Sequence, residues 1–267
     1  MERPLRLLMV GDVVGPVGCA AATALLPALR RELALDGVII NGENSAPNGF
    51  GITEQTAAAL LAVADFVTLG DHAFDQPGIA ALLDREPRII RPANFKTSPG
   101  GRGWGMFTVA GARVGVGNLL GHIFMRPEVR PTRATADEMI AALTEAGADC
   151  IVIDMQAEAT SEKQGLGRHL AGRVAAVLGT HTHVPTADLR ILPGGTAYVS
   201  DVGMTGARDG IIGFNRAEPP TGPDGGPRQP PLPADGVARL DAVLIAVSTA
   251  NGRAVACERV YREWDGV

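Results

Sequence analysis

The chain has 267 residues, of which 46% are hydrophobic and 20% charged, and its formal net charge is −5. This length fits one large domain, and the apolar fraction excludes intrinsically disordered and collagen-like classes. An acidic chain with no long basic run excludes duplex nucleic acid as an expected partner. A small phosphate ester remains compatible with this charge where metal ions supply positive charge locally.

Cysteine usage and the N-terminus indicate a cytoplasmic protein. Cys19, Cys150 and Cys257 are odd in number and far apart, and no C-x-x-C motif occurs. We therefore expect free thiols in a reducing compartment rather than disulfides or a zinc knuckle. The apolar stretch over residues 7–10 is too short for a signal peptide or a membrane span. The expectation is a soluble cytoplasmic protein with no membrane partner.

Short apolar runs alternate with helical patterns through the first eighty residues. Residues 5–10 predict a buried strand, and residues 20–33 predict a helix because leucines recur there at helical spacing. Residues 37–40 and 66–69 predict two further strands, with a helix over 53–63 between them. This alternation is typical of an α/β layered fold.

The same alternation continues through the rest of the chain, which we expect to form a single domain over residues 1–267. The sequence predicts a hairpin over 106–109 and 113–116, a helix over 134–146, strands over 150–155, 174–178 and 197–200, and a closing hairpin over 238–247 and 253–261. Residues 218–236 hold seven of the nineteen prolines and predict an extended surface segment.

Polar side chains follow most of the predicted strands. They are, in chain order, Asp12, Asn41, Glu43, Asn44, Asp71, His72, Gln156, Glu158, His181 and His183. Ligands of layered α/β folds gather at the carboxyl ends of strands, and this mixture suits divalent metals better than a nucleophilic triad. In an extended loop His181 and His183 would point to the same side, and Glu43 can bridge two ions. Two such ions clamp a phosphate and generate hydroxide from a bridging water.

The sequence resembles the YmdB-like branch of the calcineurin-type metallophosphoesterases over almost the whole chain, more weakly after about residue 214. The resemblance lies in residues 11–15 (GDVVG), 41–44 (NGEN), 70–72 (GDH), 157–163 (AEATSEK), 179–183 (GTHTH) and 201–206 (DVGMTG). It implies a four-layer α/β/β/α sandwich with a dinuclear metal centre. The implied activity is hydrolysis of phosphodiesters, notably 2′,3′-cyclic nucleotides, with 3′,5′-cyclic nucleotides as further substrates.

The resemblance also implies a role for each site residue. One metal would be held by Asp12, Glu43, Asn44 and His183, and the second by Glu43, Asp71, Gln156 and His181. His72 matches the catalytic histidine of the family, which would protonate the leaving alkoxide after attack by metal-bound hydroxide. Apart from the resemblance, we expect Asp201 to support a metal-ligand histidine as a hydrogen-bond acceptor, and His122 is either a substrate contact or an exposed loop residue.

Two positions depart from the family pattern, and both fall on the second metal. Asp71 stands where the family has Asn, and Gln156 stands where the family has His. Oxygen in place of nitrogen shifts metal preference from iron or zinc toward manganese or magnesium. We therefore expect two divalent ions, iron or manganese first and magnesium or zinc as alternatives, with the second bound more weakly.

These departures keep other functions open. A catalytically impaired homologue could bind a phosphate ligand or a partner and act as a regulator. A phosphomonoesterase with the same centre is a second enzymatic alternative. The expected partner of the enzyme is a small phosphodiester such as a cyclic nucleotide, and the apolar fraction permits a homo-oligomer.

Overall fold

The computed structural model describes residues 3–215 and 231–266, and these residues form fourteen strands and five helices. The strands are β1 (Leu5–Val10), β2 (Asp12–Val13), β3 (Gly37–Asn41), β4 (Phe66–Thr68), β5 (Ile89–Ile90), β6 (Trp104–Val109), β7 (Ala112–Leu120), β8 (Cys150–Gln156), β9 (Ala176–Thr180), β10 (Arg190–Leu192), β11 (Thr196–Val199), β12 (Met204–Ala207), β13 (Ala238–Val247) and β14 (Ala254–Trp264). The helices are α1 (Gly15–Glu32), α2 (Glu54–Leu61), α3 (Ile79–Arg85), α4 (Thr132–Glu145) and α5 (Thr160–Leu170).

The strands form two sheets. In the first, β1, β3, β4 and β5 are parallel neighbours in that order. Strand β13 pairs antiparallel with β1, β12 and β14, and β12 pairs parallel with β2. In the second sheet, β11, β9, β8 and β7 are parallel, and β10 and β6 close its two edges in antiparallel orientation.

Alternating side chains place the two sheets face to face. Leu8 of β1 packs in a cluster with Leu26 of α1, whereas its neighbour Leu7 packs in a second cluster with Val152 of β8. Ile153, on the opposite face of β8, packs in a third cluster with residues of α4 and α5. Because successive strand residues point to opposite faces, the layers run helix, sheet, sheet, helix. The predicted four-layer α/β/β/α sandwich is confirmed.

Most predicted elements are present, with ends shifted by a few residues. The structure adds α3 and α5, for which the sequence analysis predicted no helix. Helix α3 has only seven residues, too few to establish a period. Helix α5 contains Gly165 and Gly167 and is rich in polar residues, so no continuous apolar stripe marks it.

The expectation for the proline-rich segment is only partly tested, whereas that for the cysteines is confirmed. Residues 218–230 of the predicted proline-rich segment lie outside the described residues, and residues 231–236 contain no helix or extended strand. The three cysteines are free as expected, with Cys150 buried and the other two partly buried. No helix in the described ranges combines the length and the apolar character needed to cross a membrane.

Candidate active site

A buried carboxylate at the start of β2 begins the site. The backbone N–H of His181 donates to Asp12 Oδ2 at 3.2 Å, but Asp12 Oδ1 has no hydrogen-bond partner among the described residues. Burial raises the pKa of Asp12, and the charges of Asp201 and Asp154 raise it further. An isolated buried carboxylate oxygen is costly unless a cation binds it.

The imidazole of His183 faces the same oxygen. Its Nδ1 donates to the carbonyl of Ile212 at 2.8 Å, so Nε2 carries the lone pair of a neutral ring, and burial lowers the pKa of this histidine. His183 Nε2 lies 3.3 Å from Asn44 Oδ1 and 3.9 Å from Asp12 Oδ1. The Asn44 amide donates to Gly49 O at 2.9 Å, which turns its oxygen toward His183. An imidazole nitrogen, an amide oxygen and a carboxylate oxygen therefore lie close together with no N–H group directed between them, a donor set that suits a divalent cation.

A second group consists of Glu43, Asp71 and His181, whose ligand atoms all lie within 4.8 Å of one another. These residues follow β3, β4 and β9, whose carboxyl ends meet at this edge of the sandwich. His181 Nε2 lies 3.4 Å from Glu158 Oε2, and His181 Nδ1 lies 3.4 Å from Asp71 Oδ1. His181 Nδ1 can donate to Asp71, and when Glu158 instead accepts the Nε2 proton, Nδ1 keeps a lone pair for an ion. This donor set also fits a divalent cation.

The side-chain amide of Gln156 lies at the centre of this second group. Its Nε2 contacts Glu43 Oε1 and lies 3.1 Å from His181 Nδ1 and 3.4 Å from Asp71 Oδ1. Its Oε1 lies 2.6 Å from the hydroxyl of Thr180. The amide nitrogen thus lies within 3.4 Å of a ligand atom of each of the three candidate residues, where a cation would otherwise be held. For the oxygen of Gln156 to ligate a metal, the amide must rotate by half a turn.

The carboxylates of the second group differ in their electrostatics. Burial raises the pKa of Glu43, and the neighbouring charges of Asp71 and Asp12 add to the rise. Burial also raises the pKa of Asp71, but its hydrogen bond to His181 and the charges of His72 and His181 outweigh burial and lower it to about 2. Asp71 therefore stays ionised and attracts cations at neutral pH.

His72 lies beside both groups, in the loop after β4. Its backbone N–H donates to Glu43 Oε2 at 3.3 Å, and its Nδ1 lies 2.7 Å from Asp75 Oδ2. Its Nε2 points toward the metal-ligand candidates, 3.8 Å from Asp71 Oδ2. Gly70 is required just before this loop, because a Cβ there would collide with the side chains of Glu43 and Gln156. The side chain of Asp75, three residues after His72, was not anticipated from the sequence.

The supporting residue Asp201 has a different partner from the one expected. Its Oδ2 accepts hydrogen bonds from the backbone N–H of Thr182 at 3.1 Å and from the Thr182 hydroxyl at 2.6 Å. Within the described ranges it makes no hydrogen bond to an imidazole. Asp201 therefore anchors the residue between the two histidines, and the histidine rings are oriented by other groups.

The backbone of the two histidines also differs from the extended loop that we expected. His181 and His183 both have positive φ angles, of 94° and 63°. Both rings still face the candidate ligands. This left-handed conformation is uncommon for residues other than glycine. It turns both imidazoles toward the same site, as an extended loop would also have done.

The site opens into a cavity of about 310 Å³. Its polar lining consists of Glu43, Asn44, His72, Glu158, His181, Thr182 and His183, and its apolar lining consists of Phe50, Ile212 and Phe214. None of these three apolar residues was expected at the site from the sequence. In the sequence, Phe50 is marked by its position between Gly49 and Gly51. In the structure both glycines have a positive φ of 83°.

His122, which the sequence placed in a loop near the site, lines a different cavity of about 400 Å³. Its backbone N–H donates to Glu162 at 3.0 Å, which holds its loop against the start of α5. Met155 lines this second cavity, whereas its neighbour Gln156 points to the opposite face of the sheet, toward Glu43 and His181. His122 is therefore separate from the cavity that contains His72.

Comparison with known proteins gives consistent results. The model of a family described as YmdB-like protein matches residues 8–260. A 2′,3′-cyclic-nucleotide 2′-phosphodiesterase of Bacillus subtilis is 45% identical over 213 residues, covering 79% of this chain and 80% of the relative.

Two solved structures are similar over nearly their whole length. A hypothetical protein of Thermus thermophilus has a TM-score of 0.85 at 36% identity, covering 97% of this chain and 99% of that one. A structure described as a novel phosphatase of Mycoplasma pneumoniae has a TM-score of 0.88 at 28% identity, covering 99% and 95%.

Proposed function

Because this chain belongs to the YmdB-like protein family, and is thereby a metal-dependent phosphoesterase, we propose that it hydrolyses small phosphodiesters, with 2′,3′-cyclic nucleotides as the first substrate class. The name of the Bacillus relative supports that class. The observation that carries the proposal is the meeting of potential ligand atoms from His183, Asn44 and Asp12 beside the second acidic group.

Two divalent cations would occupy the two groups, with Glu43 between them. Asp12, Asn44 and His183 would hold one ion, and Asp71, His181 and Gln156 the other. When bound, such ions would neutralise phosphate oxygens and make a water lose a proton more readily, which supplies the hydroxide that attacks phosphorus. The protein supplies donors fixed in advance by Ile212, Gly49 and Glu158, so binding an ion needs little rearrangement except at Gln156.

His72 would act as the general acid. Asp75 accepts the Nδ1 proton, which orients the ring and leaves Nε2 facing the cavity. An imidazolium at this place donates its Nε2 proton to the leaving alkoxide, a poor leaving group without protonation.

One observation favours the regulatory alternative. The Gln156 amide nitrogen contacts Glu43 and His181 of the second group. If this amide never rotated, the protein would bind phosphate weakly and hydrolyse its substrate slowly. The phosphomonoesterase alternative uses the same donors and differs only in substrate.

Hydrolysis assays on metal-stripped protein refilled separately with Mn²⁺, Fe²⁺ and Mg²⁺ test the proposal. The substrates are 2′,3′-cyclic AMP, 3′,5′-cyclic AMP and 3′-AMP as a monoester. We expect turnover of 2′,3′-cyclic AMP that falls by roughly 100-fold or more in His72→Ala. His169→Ala is the matched control, because His169 pairs with Asp137 on the surface.

Three results would change the assignment. Turnover of 3′-AMP alone would identify a monoesterase. Absence of turnover with every metal, in folded protein, would favour the regulatory alternative. Equal loss of activity in both histidine variants would remove the assigned role of His72.

A further inference from the structure

A tight turn beside the candidate metal ligands contains an unfavourable residue. Ile211 and Phe214 exchange two backbone hydrogen bonds, of 2.8 and 3.0 Å. Between them, Ile212 has a φ of 49° and Gly213 a φ of 91°. Positive φ at both central positions is type I′ geometry, which favours Asn-Gly and is strained for a β-branched residue. The chain therefore keeps an isoleucine where asparagine would be more stable.

The hydrogen bond to His183 explains why a turn is needed here, but it does not explain why position 212 is an isoleucine. The carbonyl of Ile212 accepts the Nδ1 proton of His183 at 2.8 Å, and this contact needs the peptide group of the turn. Any residue at position 212 supplies the same carbonyl. The presence of an isoleucine side chain at this position therefore needs a separate explanation.

Core packing does not supply that reason. The Ile212 side chain is 46% exposed, so its contribution to the buried core is small. It instead lines the 310 Å³ cavity together with Phe50 and Phe214. The rings of Phe50 and Phe214 stack with centroids 5.4 Å apart, and Phe50 also lies 5.0 Å from the His72 ring. Apolar side chains thus border the position of the chemistry.

The two kinds of lining divide the cavity by chemistry. Carboxylates and imidazoles surround the place for metal and phosphate, and the apolar residues have no charge or hydrogen bond to offer a phosphate. A substrate that fits both linings has a phosphodiester joined to a flat, weakly polar group, as in a nucleoside.

We propose that Ile212 and Phe50 form a binding subsite for the nucleobase of a nucleoside phosphodiester, and that Ile212 is retained in a strained turn for this contact. The inference rests on the proposed function for its substrate class. It predicts opposite effects of one substitution on stability and on substrate selectivity.

Ile212→Asn tests both effects. Asparagine adopts positive φ readily and keeps the backbone carbonyl, so we expect the melting temperature to rise by about 2–4 °C. We expect the ratio of kcat/KM for 2′,3′-cyclic AMP to that for glycerol 1,2-cyclic phosphate, which has no base, to fall roughly three- to tenfold.

Ala110→Asn is the matched control. Ala110 and Gly111 occupy the hairpin turn between β6 and β7 with φ angles of 49° and 80°, closely similar to the turn at Ile212. Ala110 is absent from the cavity lining. We expect this variant to gain stability without a change in the substrate ratio.

A binding measurement separates this inference from the proposed function. Calorimetry with 3′-AMP and with inorganic phosphate reports base recognition even without turnover, and Ile212→Asn should weaken only 3′-AMP severalfold. If the wild type hydrolyses neither cyclic phosphate, the proposed function fails, while this binding difference would still support the subsite. An unchanged substrate ratio and unchanged 3′-AMP binding would overturn the subsite, and a lower melting temperature would overturn the strain argument.

Discussion

Lys163 and Asp201 form an ion pair inside the protein, with Nζ 3.1 Å from Oδ2 and both side chains 1% exposed. The same carboxylate oxygen accepts both hydrogen bonds from Thr182, between the two candidate histidine ligands. The pair thus connects α5 to the loop that carries His181 and His183. It also places one buried ammonium near a group of buried carboxylates.

Loss of this ammonium should destabilise the protein strongly. Lys163→Met leaves Asp201 charged and buried without its cation, and we expect the free energy of unfolding to fall by about 3–5 kcal/mol. Urea denaturation measures the change. Lys96→Met is the control, because Lys96 pairs with Glu128 at 3.0 Å on the surface and should cost under about 1 kcal/mol. Equal losses in the two variants would contradict a structural role for the buried pair.

Asp75 should affect turnover through His72. Asp75→Asn removes the carboxylate that orients the ring, so we expect kcat to fall about 10- to 100-fold, with a smaller change in KM and a shifted basic limb of the pH–rate profile, the limb on which a general acid loses its proton. Asp137→Asn removes a carboxylate from His169 at a similar distance, 2.9 Å, on the surface. A pH–rate profile of Asp75→Asn parallel to that of the wild type would argue against His72 as the general acid.

Metal binding should be unequal at the two groups, because the Gln156 amide must rotate before its oxygen can ligate an ion. We expect one Mn²⁺ to bind tightly and the second more weakly in calorimetric titration. Gln156→His supplies an imidazole nitrogen and should tighten the weaker site by about tenfold or more. Gln164→His adds a histidine at an exposed position of α5 as a control.

Adding Asp71→Asn to Gln156→His restores the family pattern at both positions. A large gain in turnover would mean that the present site is impaired, whereas no gain or a loss would mean that it is tuned to another metal. Two equally tight sites in the wild type would contradict the inequality.

Asp154 should make stability depend on pH. Burial raises its pKa from 3.8 to about 6, although hydrogen bonds from Thr180, Thr68 and Asn41 oppose the rise. Between these values the folded state binds more protons than the unfolded state, so the contribution of Asp154 to stability is present below about pH 4 and is lost as the pH rises through about 6.

Denaturation of metal-free wild type and Asp154→Asn at several pH values measures this term. The stability of the variant relative to the wild type should increase by up to about 3 kcal/mol from pH 4 to pH 7. In Asp188, hydrogen bonds from Thr186 and Ser200 outweigh burial and lower the pKa. Asp188→Asn should therefore differ from the wild type by a constant amount above about pH 4.5. A difference independent of pH in Asp154→Asn would refute the raised pKa.

Local sequence patterns predicted most of the architecture for a physical reason. The apolar run over residues 5–10 and the polar residues after it form β1 and the start of the site, because strand burial and strand ends depend on neighbouring residues. Helix α5 was not predicted, because the face that it buries includes Lys163 and Gly167 beside Leu166 and Leu170, and a lysine and a glycine do not mark an apolar face in the sequence.

The donor types at the strand ends can be predicted from local sequence, because Asp12, Glu43 and His183 follow local apolar runs. The orientation of these donors depends on contacts between distant parts of the chain. Gln156 meets Glu43 across 113 positions of chain, and the carbonyl of Ile212 meets His183 across 29. Such contacts depend on how the two sheets pack and how the intervening loops turn. No short-range periodicity encodes them, because the free energy that selects them comes from burial and hydrogen bonding between segments distant in sequence.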